Sequence, residues 1–249
     1  MDIAPDDRGE NIRREFCLTL EQMGIYPERS HHEQGPGQNE IDFRYSDPLT
    51  AADNAMTFQT VVKTVAGCNG LIADFSPKPL ADKPGNGFHI NISAKADDNS
   101  DYLHQIIAGI LAKVCDMTLF LNPLNCSYQR FGNDKAPQYI SWSSENRSQL
   151  IRIPAAVGKY RRAELRSPDP TANSYLAFAL MIYAGLYGIQ NHLQLAEPTD
   201  INIYKANADV LSKFKMLPSS LKDACESALN SDFIKQHIPN EILEIYCNR

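Results

Sequence analysis

The sequence predicts an α+β fold, in which each strand has one polar face and helices cover the apolar face. Apolar and polar residues alternate strictly in residues 87–93, and residues 39–45 and 161–166 show the same period of two. This predicts strands because successive strand side chains point to opposite faces. Other segments have apolar residues at helical spacing. The polar faces of the three strands are dense in carboxylate, imidazole and guanidinium groups, a composition that favours a binding site over simple packing.

Seven helices are predicted from apolar spacing and from signals at their ends. The first ends at Gly24, and the second begins at Thr50, where Asp53 three residues later gives the pattern of a capping box. Asp169 followed by Pro170 predicts the start of a helix that is apolar nearly all round and therefore buried. The predicted helices cover residues 11–23, 50–66, 101–117, 171–189, 206–214 and 219–229, with a short last helix near residue 240.

Three shorter strands are predicted at residues 71–75, 138–143 and 151–154. The segment Lys83–Gly87 is rich in glycine, which would allow a ligand to approach the backbone. It lacks the Lys-Ser/Thr ending of a P-loop, and an ordinary hairpin turn is the simpler interpretation. The length of 249 residues suits one large domain or two small ones, and we expect a single domain over residues 1–249.

Composition excludes several classes of function. The net charge of −6 makes nucleic acid and anionic membranes poor partners. Six scattered cysteines without a CxxC pair indicate reduced thiols. The first ten residues lack the basic and apolar regions of a secretory signal, and the apolar stretch at 175–189 is too short to span a bilayer. We therefore expect a cytoplasmic protein.

Two groups of residues carry the candidate chemistry. Glu33, Glu40, His89 and Glu164 offer the oxygen and imidazole ligands that suit Mg²⁺ or Mn²⁺, although a single strand glutamate is more often a surface charge. Six cations within 20 residues suit a phosphate or carboxylate ligand, and a solvated basic face is the alternative. These cations are Arg147, Arg152, Lys159, Arg161, Arg162 and Arg166.

Several long motifs resemble the catalytic domain of bacterial-type (type I) glutamine synthetase, in the same order along nearly the whole chain. They are HHEQGPGQNEIDF, PKPLADKPGNGFHINIS, SYQRF, SWSSENRSQLIRIP and RRAELRSPDPTANSYLAFALMIYAGLYGI. The resemblance implies a curved antiparallel sheet with a polar active-site face and with helices on its other face. It also implies that ATP phosphorylates glutamate and that ammonia then displaces the phosphate.

The resemblance gives each candidate residue a role. Glu33 and Glu40 would hold the metal nearer glutamate, and His89 and Glu164 the metal nearer the ATP phosphates. Arg147 and Arg152 would steady the transferring phosphoryl group. The nucleotide would be contacted by Glu28, Asn91, Ser93, Lys159 and Arg162. The glutamate carboxylates would be held by Arg130, Arg166 and the backbone near Gly85.

The chain also departs from the family pattern. The family has a preceding β-grasp domain, which bears two more metal-ligand glutamates and completes a neighbouring active site in a ring. We expect this chain to lack that domain, and to form a homo-oligomer or to use a separate β-grasp partner. Lys135 takes the place of a catalytic flap glutamate in a shortened loop, and Pro84 replaces an asparagine in the glutamate loop.

These departures leave three hypotheses. The first is a glutamate–ammonia ligase that is impaired in this chain. The second is a family ligase for a different amine or acid, which Lys135 and Pro84 suggest. The third is a non-catalytic binding protein that retains the fold.

Overall fold

A computed structural model describes residues 7, 9–97, 100–133, 135–155 and 161–248 of the chain. The described residues divide into two compact units. The first lies within Met1–Phe75 and Pro79–Asn86, and the second within Ser76–Lys78 and Gly87–Arg249. Helices and strands occur in both, so the predicted α+β class is confirmed.

The first unit contains two helices and a hairpin. Its elements are α1 (Glu10–Gln22), β1 (Pro27–His32), β2 (Asn39–Phe43) and α2 (Pro48–Cys68). Strands β1 and β2 pair antiparallel, with His31 opposite Glu40. Two small apolar clusters stabilise the unit, one around Phe16 and one around Leu20.

Two predictions for the first unit were wrong. The N-cap of α2 is Asp47, which accepts a hydrogen bond from the Thr50 N–H at 3.1 Å, and Pro48 begins the helix. The predicted capping box at Thr50 and Asp53 therefore falls inside the first turn. Residues 71–75 form no strand, although Phe75 packs against the Phe16 cluster. Ala73 also packs against that cluster, whereas Leu71 and Ile72 are exposed.

The second unit contains a four-stranded sheet in the order β3-β6-β5-β4. Its strands are β3 (Ile90–Ile92), β4 (Trp142–Ser143), β5 (Ile151–Arg152) and β6 (Ala163–Leu165). The sheet is mixed and not purely antiparallel, because β4 pairs parallel with β5. Its helices are α3 (Leu103–Leu121), α4 (Ser174–Gln190), α5 (Ala208–Leu211), α6 (Leu221–Leu229), α7 (Asp232–His237) and α8 (Asn240–Cys247).

The sheet has one apolar and one polar face, as predicted. Ile90 lies opposite Leu165, which lies opposite Ile151, and all three are buried in the core with residues of α3 and α4. On the other face, Glu164 lies between Asn91 of β3 and Arg152 of β5. The sheet register therefore places the polar groups of three strands side by side.

Helices α3 and α4 pack closely at two glycines. A Cβ atom at Gly109 would lie 2.7 Å from the Gly188 nitrogen, and one at Gly188 would lie 2.8 Å from the Gly109 nitrogen. By length and composition alone, α3 could cross a membrane, but most of it is buried inside the unit. The close crossing lets α3 serve as the central core helix.

Helix α4 begins later than predicted. Its N-cap is Asn173, whose side chain accepts hydrogen bonds from the Tyr175 and Leu176 N–H groups. Asp169 is not the cap, and its carboxylate is fully buried. Helix α4 is also less buried than its sequence predicts, because Tyr175, Tyr183 and Leu186 are exposed.

Candidate functional site

The hairpin of the first unit brings together a histidine and two glutamates. His31 Nε2 lies 3.2 Å from Glu33 Oε1 and 3.7 Å from Glu40 Oε2. One ligand atom from each residue lies within 4.8 Å of the others, and this is the one such group of three found among the described residues. Glu33 and Glu40 were predicted as metal ligands, whereas His31 was missed. The three residues are referred to below as the hairpin trio.

Electrostatics make the hairpin trio receptive to a cation. Burial, with repulsion from Asp42 and Glu33, raises the pKa of Glu40 to about 7, although His31 opposes the shift. The Gln34 N–H donates to Glu33 Oε2 at 3.1 Å, which leaves Glu33 Oε1 directed toward His31. Carboxylate oxygen with one imidazole nitrogen suits a divalent ion such as Mn²⁺. The donor set therefore fits the implied metal.

In the second unit, Glu164 is the centre of a network of cations. Arg152 Nε donates to Glu164 Oε2 at 2.6 Å, and Arg166 Nη1 donates to Oε1 at 3.3 Å. His89 Nδ1 also lies 3.3 Å from Oε1. His89 and Glu164, the other predicted metal ligands, are thus adjacent, and two predicted arginines already contact the glutamate.

The pKa values follow from this setting. Burial raises the pKa of Glu164. Hydrogen bonds from His89 and Arg152 and the charge of Arg166 lower the pKa by more than burial raises it, so the pKa lies well below the usual range. Burial lowers the pKa of His89, helped by Arg166, while Glu164 opposes the shift. Glu164 is therefore ionised and His89 favours its neutral form, the form that binds a metal.

Arg130 and Arg166, predicted to hold glutamate, are both almost fully buried. Arg130 donates to the Ser167 carbonyl at 3.0 Å and lies 4.0 Å from Asp169. A Cβ atom at Gly87 would lie 3.0 Å from His89 Nε2 and 3.6 Å from Arg130 Nη2, so the imidazole and the guanidinium lie close to this glycine. Three guanidiniums with two carboxylates leave an excess of positive charge, which favours an anionic ligand.

Asp169 has a structural role that the sequence did not reveal. Asn122 Nδ2 donates to Asp169 Oδ2 at 3.2 Å, and the Thr171 N–H donates to Oδ1 at 2.9 Å. Asn122 Nδ2 also donates to the Ser167 carbonyl at 2.9 Å. These bonds fix the segment that accepts the hydrogen bond from Arg130.

The predicted nucleotide residues are distributed over both units. Arg162 Nε donates to Asn91 Oδ1 at 3.1 Å on the polar sheet face, and the exposed Ser93 follows the end of β3. In the first unit, Glu28 is exposed on β1, with Oε1 3.9 Å from Arg44 Nε. The structure gives no account of Lys159, which lies outside the described residues.

Arg147 is exposed in a turn whose neighbours are firmly held. Asn146 Nδ2 and Gln149 Nε2 each donate to the Ile201 carbonyl at 2.8 Å. Ser148 Oγ accepts from the Ile203 N–H at 3.0 Å. These three anchors were not predicted, although the polar run SENRSQ around Arg147 was a signal for them. They present the guanidinium from a fixed turn.

Lys135 lies between two residues that are joined by a backbone hydrogen bond. The Gly132 N–H donates to the Ala136 carbonyl at 2.9 Å, and the Lys135 backbone has a positive φ of 69°. Arg166 Nη2 reaches the Lys135 carbonyl at 3.5 Å. A buried cation of the second unit is therefore tied to the loop that departs from the family pattern.

Comparison with known proteins agrees with the motifs. A family model described as glutamine synthetase, catalytic domain, matches residues 1–249. Glutamine synthetase of Staphylococcus aureus strain MW2 is 43% identical over 262 aligned positions, which cover 99% of this chain and 59% of the relative. Glutamine synthetase of Staphylococcus epidermidis is 42% identical with the same coverage. The 262 positions exceed the 249 residues of this chain, so these relatives have residues in the matched region that it lacks.

Two solved structures are similar in fold. A GmaS/ADP complex superposes with a TM-score of 0.87 at 28% identity, over 97% of this chain and 59% of that chain. Apo GmaS superposes with a TM-score of 0.84 at 28% identity, over 97% of this chain and 58% of that chain. The chain thus spans about three fifths of the length of these relatives.

Proposed function

Because this chain belongs to the glutamine synthetase catalytic-domain family, we propose that it is an ATP-dependent carboxylate–amine ligase domain that joins glutamate and ammonia. The observation that carries the proposal is the hairpin trio, which gathers predicted metal ligands in a chain matched over its whole length. We extend the proposal to a single catalytic domain over residues 1–249 in the cytoplasm. From the family resemblance we add a homo-oligomer or a separate β-grasp partner.

Two metal positions belong to the proposal. His31, Glu33 and Glu40 would hold one Mg²⁺ or Mn²⁺, and His89 with Glu164 would hold the other together with ATP phosphate oxygens. Bound divalent metal neutralises phosphate charge and polarises the bond that breaks. Arg152 contacts Glu164 at 2.6 Å, so it is placed to exchange that carboxylate for a phosphate oxygen when nucleotide binds.

The remaining cations bind and orient the reactants. A glutamate side-chain carboxylate oxygen attacks the terminal phosphorus of ATP, and the bond to ADP breaks. Arg147 and Arg152 stabilise the charge on the moving phosphoryl group. Ammonia then attacks the acyl carbon, the phosphate leaves and one proton is lost. Arg130, Arg166 and the backbone at Gly85 hold the glutamate carboxylates during both steps.

ADP release is the direct test of this activity. We expect release in the presence of Mn²⁺ or Mg²⁺ that requires both glutamate and ammonia, at a rate below that of ordinary ligases because Lys135 replaces a flap glutamate. Arg152→Gln should lower the rate at least tenfold, whereas Arg14→Gln, at an exposed cation of α1, should leave it unchanged. If the rate of ADP release depended on neither glutamate nor ammonia, the proposal would be refuted.

A ligase for another amine or acid is the second candidate, and Lys135 in the place of the family's flap glutamate favours it. A charged lysine neither accepts a proton from ammonium nor attracts the cation. A panel of amines and acids in the same assay separates the two candidates. Lys135→Glu should raise ammonia-dependent turnover if ammonia is the substrate, and Lys135→Gln controls for loss of the charge alone.

A binding protein without catalysis remains the third candidate. Calorimetry with Mn²⁺ and with ATP separates it from the ligases, because the ligases require both ligands. Binding of neither ligand, together with absence of ADP release, would favour this candidate. The GmaS/ADP complex supports nucleotide binding on this fold.

A further inference from the structure

Gln38 connects two segments of the first unit that carry different parts of the proposed site. Its backbone carbonyl accepts from the Glu33 N–H at 2.7 Å, directly at a residue of the hairpin trio. Its side-chain Nε2 donates to the Gly85 carbonyl at 3.0 Å and to Asn86 Oδ1 at 3.1 Å. Gly85 is the residue whose backbone is proposed to hold glutamate. One residue therefore bonds to both segments.

We propose that Gln38 is a positioning residue that couples divalent-cation binding at the hairpin trio to the order of the loop Pro84–Asn86. The inference rests on the proposed function, in which Glu33 binds the cation and the Gly85 backbone binds the substrate carboxylate. Gln38 itself contacts neither ligand, and it acts by holding the two backbones in a fixed relation.

The turn between the two strands fixes the backbone of Gln38. The Gln38 N–H donates to the Gly35 carbonyl at 3.0 Å, and Gly37 has a φ of 66°. Pro36 and Gly37 therefore occupy the positions that proline and glycine favour in a type II turn. This turn sets the position of the carbonyl that accepts from Glu33.

The amide side chain of Gln38 uses both its acceptor and its donors. Oε1 accepts from the Gly35 N–H at 3.0 Å, while Nε2 donates to two oxygens. A carboxylate in the same position would face the Gly85 carbonyl without a donor, and an ammonium would leave the Gly35 N–H without an acceptor. The chemistry at this position is therefore specific to an amide.

Two neighbours are shaped around this amide. A Cβ atom at Gly35 would lie 3.0 Å from Gln38 Oε1 and 3.3 Å from its Cβ, so a side chain there would displace the amide. Asn86 Nδ2 donates to the Asp74 carbonyl at 3.1 Å, which continues the hydrogen-bonded path beyond the loop. Displacement of Glu33 by a cation would be transmitted along this path to Gly85.

Hydrogen exchange in the whole chain tests the coupling, with Mn²⁺ alone as the probe. In the wild type we expect Mn²⁺ to slow exchange of the Gly85 and Asn86 amides at least fivefold. Gln38→Ala should abolish this effect while its Mn²⁺ affinity stays within threefold of wild type. Gln34→Ala is the matched control, because it removes an exposed amide from the same turn and should keep the full protection.

Gln38→Glu retains the size of the side chain and guards against a general folding defect in the alanine variant. It should lose the Mn²⁺-dependent protection as well, because it cannot donate to Gly85. Protection that persists in both Gln38 variants would overturn the inference, and so would its absence in the wild type.

Activity supplies a second and separate reading. Gln38→Ala should raise the KM for glutamate about tenfold and change kcat less than threefold, a split that a general loss of structure would not produce. A ligase that proves inactive would refute the proposed function, while the exchange experiment would still decide the role of Gln38.

Discussion

Glu40 of the first unit lies among other acids and has a raised pKa, whereas Glu164 of the second unit lies among cations and has a lowered one. Both glutamates are assigned to metal binding by the same family resemblance. In the first unit, His31 opposes the repulsion between carboxylates. In the second, Arg152 and Arg166 already donate to the carboxylate.

The two proposed metal positions should therefore differ in how readily they bind a cation. An added cation relieves repulsion at the hairpin trio, so binding there gains free energy. At Glu164 the cation must compete with guanidinium groups that already neutralise the charge. The hairpin trio should therefore bind Mn²⁺ without nucleotide, and the His89–Glu164 position should fill only when phosphate oxygens join it and draw Arg152 away.

The substitution with the largest effect on stability disrupts the network of charges around Glu164 in the second unit. Glu164→Gln removes the charge that compensates two guanidiniums, and loss of one partner from a buried pair should lower the free energy of unfolding by about 3 kcal/mol. Urea denaturation followed by fluorescence of Trp142, the single tryptophan, measures this unit. A loss below about 1 kcal/mol would show that solvent already compensates the arginines.

Packing gives the next effect and contrasts the same substitution in the two units. Gly188→Ala should lower the free energy of unfolding by about 2 kcal/mol, because the new methyl group meets backbone atoms of α3 that cannot move aside. Gly67→Ala on α2 meets nothing within 4 Å and should instead add about 0.5 kcal/mol through helix propensity. Urea denaturation tests the first, and hydrogen exchange in α2 tests the second. Equal effects of the two substitutions would contradict the close crossing of α3 and α4.

Substitution of Glu40 by glutamine should raise the free energy of unfolding, whereas Glu164→Gln should lower it. The raised pKa means that folded Glu40 retains its proton to about pH 7, whereas its ordinary value is 4.5. Stability is therefore lost as pH rises between these values. At pH 8 without metal, Glu40→Gln should raise the free energy of unfolding by about 1 kcal/mol, after allowance for solvent screening of a partly exposed group.

The pH dependence checks this third effect. The gain should vanish near pH 4, where the wild-type carboxyl is protonated in both states. Hydrogen exchange in α2 with a chelator present provides the measurement. Saturating Mn²⁺ should reverse the order, because the wild type then gains binding free energy that the glutamine variant loses. A variant that is less stable than the wild type at pH 8 without metal would contradict the repulsion.

The helices and strands differ in how well the sequence predicts them. The longer helices and the alternating strands β2, β3 and β6 were predictable, because apolar periodicity extends over enough residues. The prediction missed α7 (Asp232–His237), and the helix predicted at 206–214 was too long, since α5 covers only Ala208–Leu211. Strands β4 and β5 lie within the predicted segments 138–143 and 151–154, but each has two residues and is shorter than predicted. Their parallel pairing depends on distant segments, which a local period cannot show. The segment PERSHH has no apolar alternation, so β1 was missed, and its hairpin partner determines it.

The site was predictable in residue type but not in grouping. His31 and Glu33 are two residues apart in the sequence, and a glycine-proline-glycine turn follows, so a hairpin with both on one face was a usable signal. The pairing of His31 with Glu40 depends on strand register, which the turn length sets. Asp169 was misassigned because an Asp-Pro pair resembles a helix start, while its partner Asn122 lies 47 residues away.

A small effect on the free energy of unfolding is expected at the C-terminal ends of α2 in the first unit and α4 in the second. After α2, the Leu71 N–H donates to the Ala66 carbonyl at 2.9 Å, and Gly70 takes the left-handed conformation at φ 69°. After α4, the Leu193 N–H donates to the Gly188 carbonyl at 2.9 Å, and His192 takes the same conformation at φ 48°. Both ends are Schellman motifs, but only the first has the glycine that the motif favours.

His192→Gly should therefore raise the free energy of unfolding by about 0.5 kcal/mol, since relief of the strained φ exceeds the extra entropy of glycine in the unfolded chain. Urea denaturation followed at Trp142 measures the change. His192→Ala keeps the Cβ atom and should match the wild type, which separates backbone strain from any contact of the imidazole. If both variants lose stability equally, the imidazole stabilises this helix end, and the two units then differ in side-chain chemistry as well as in backbone.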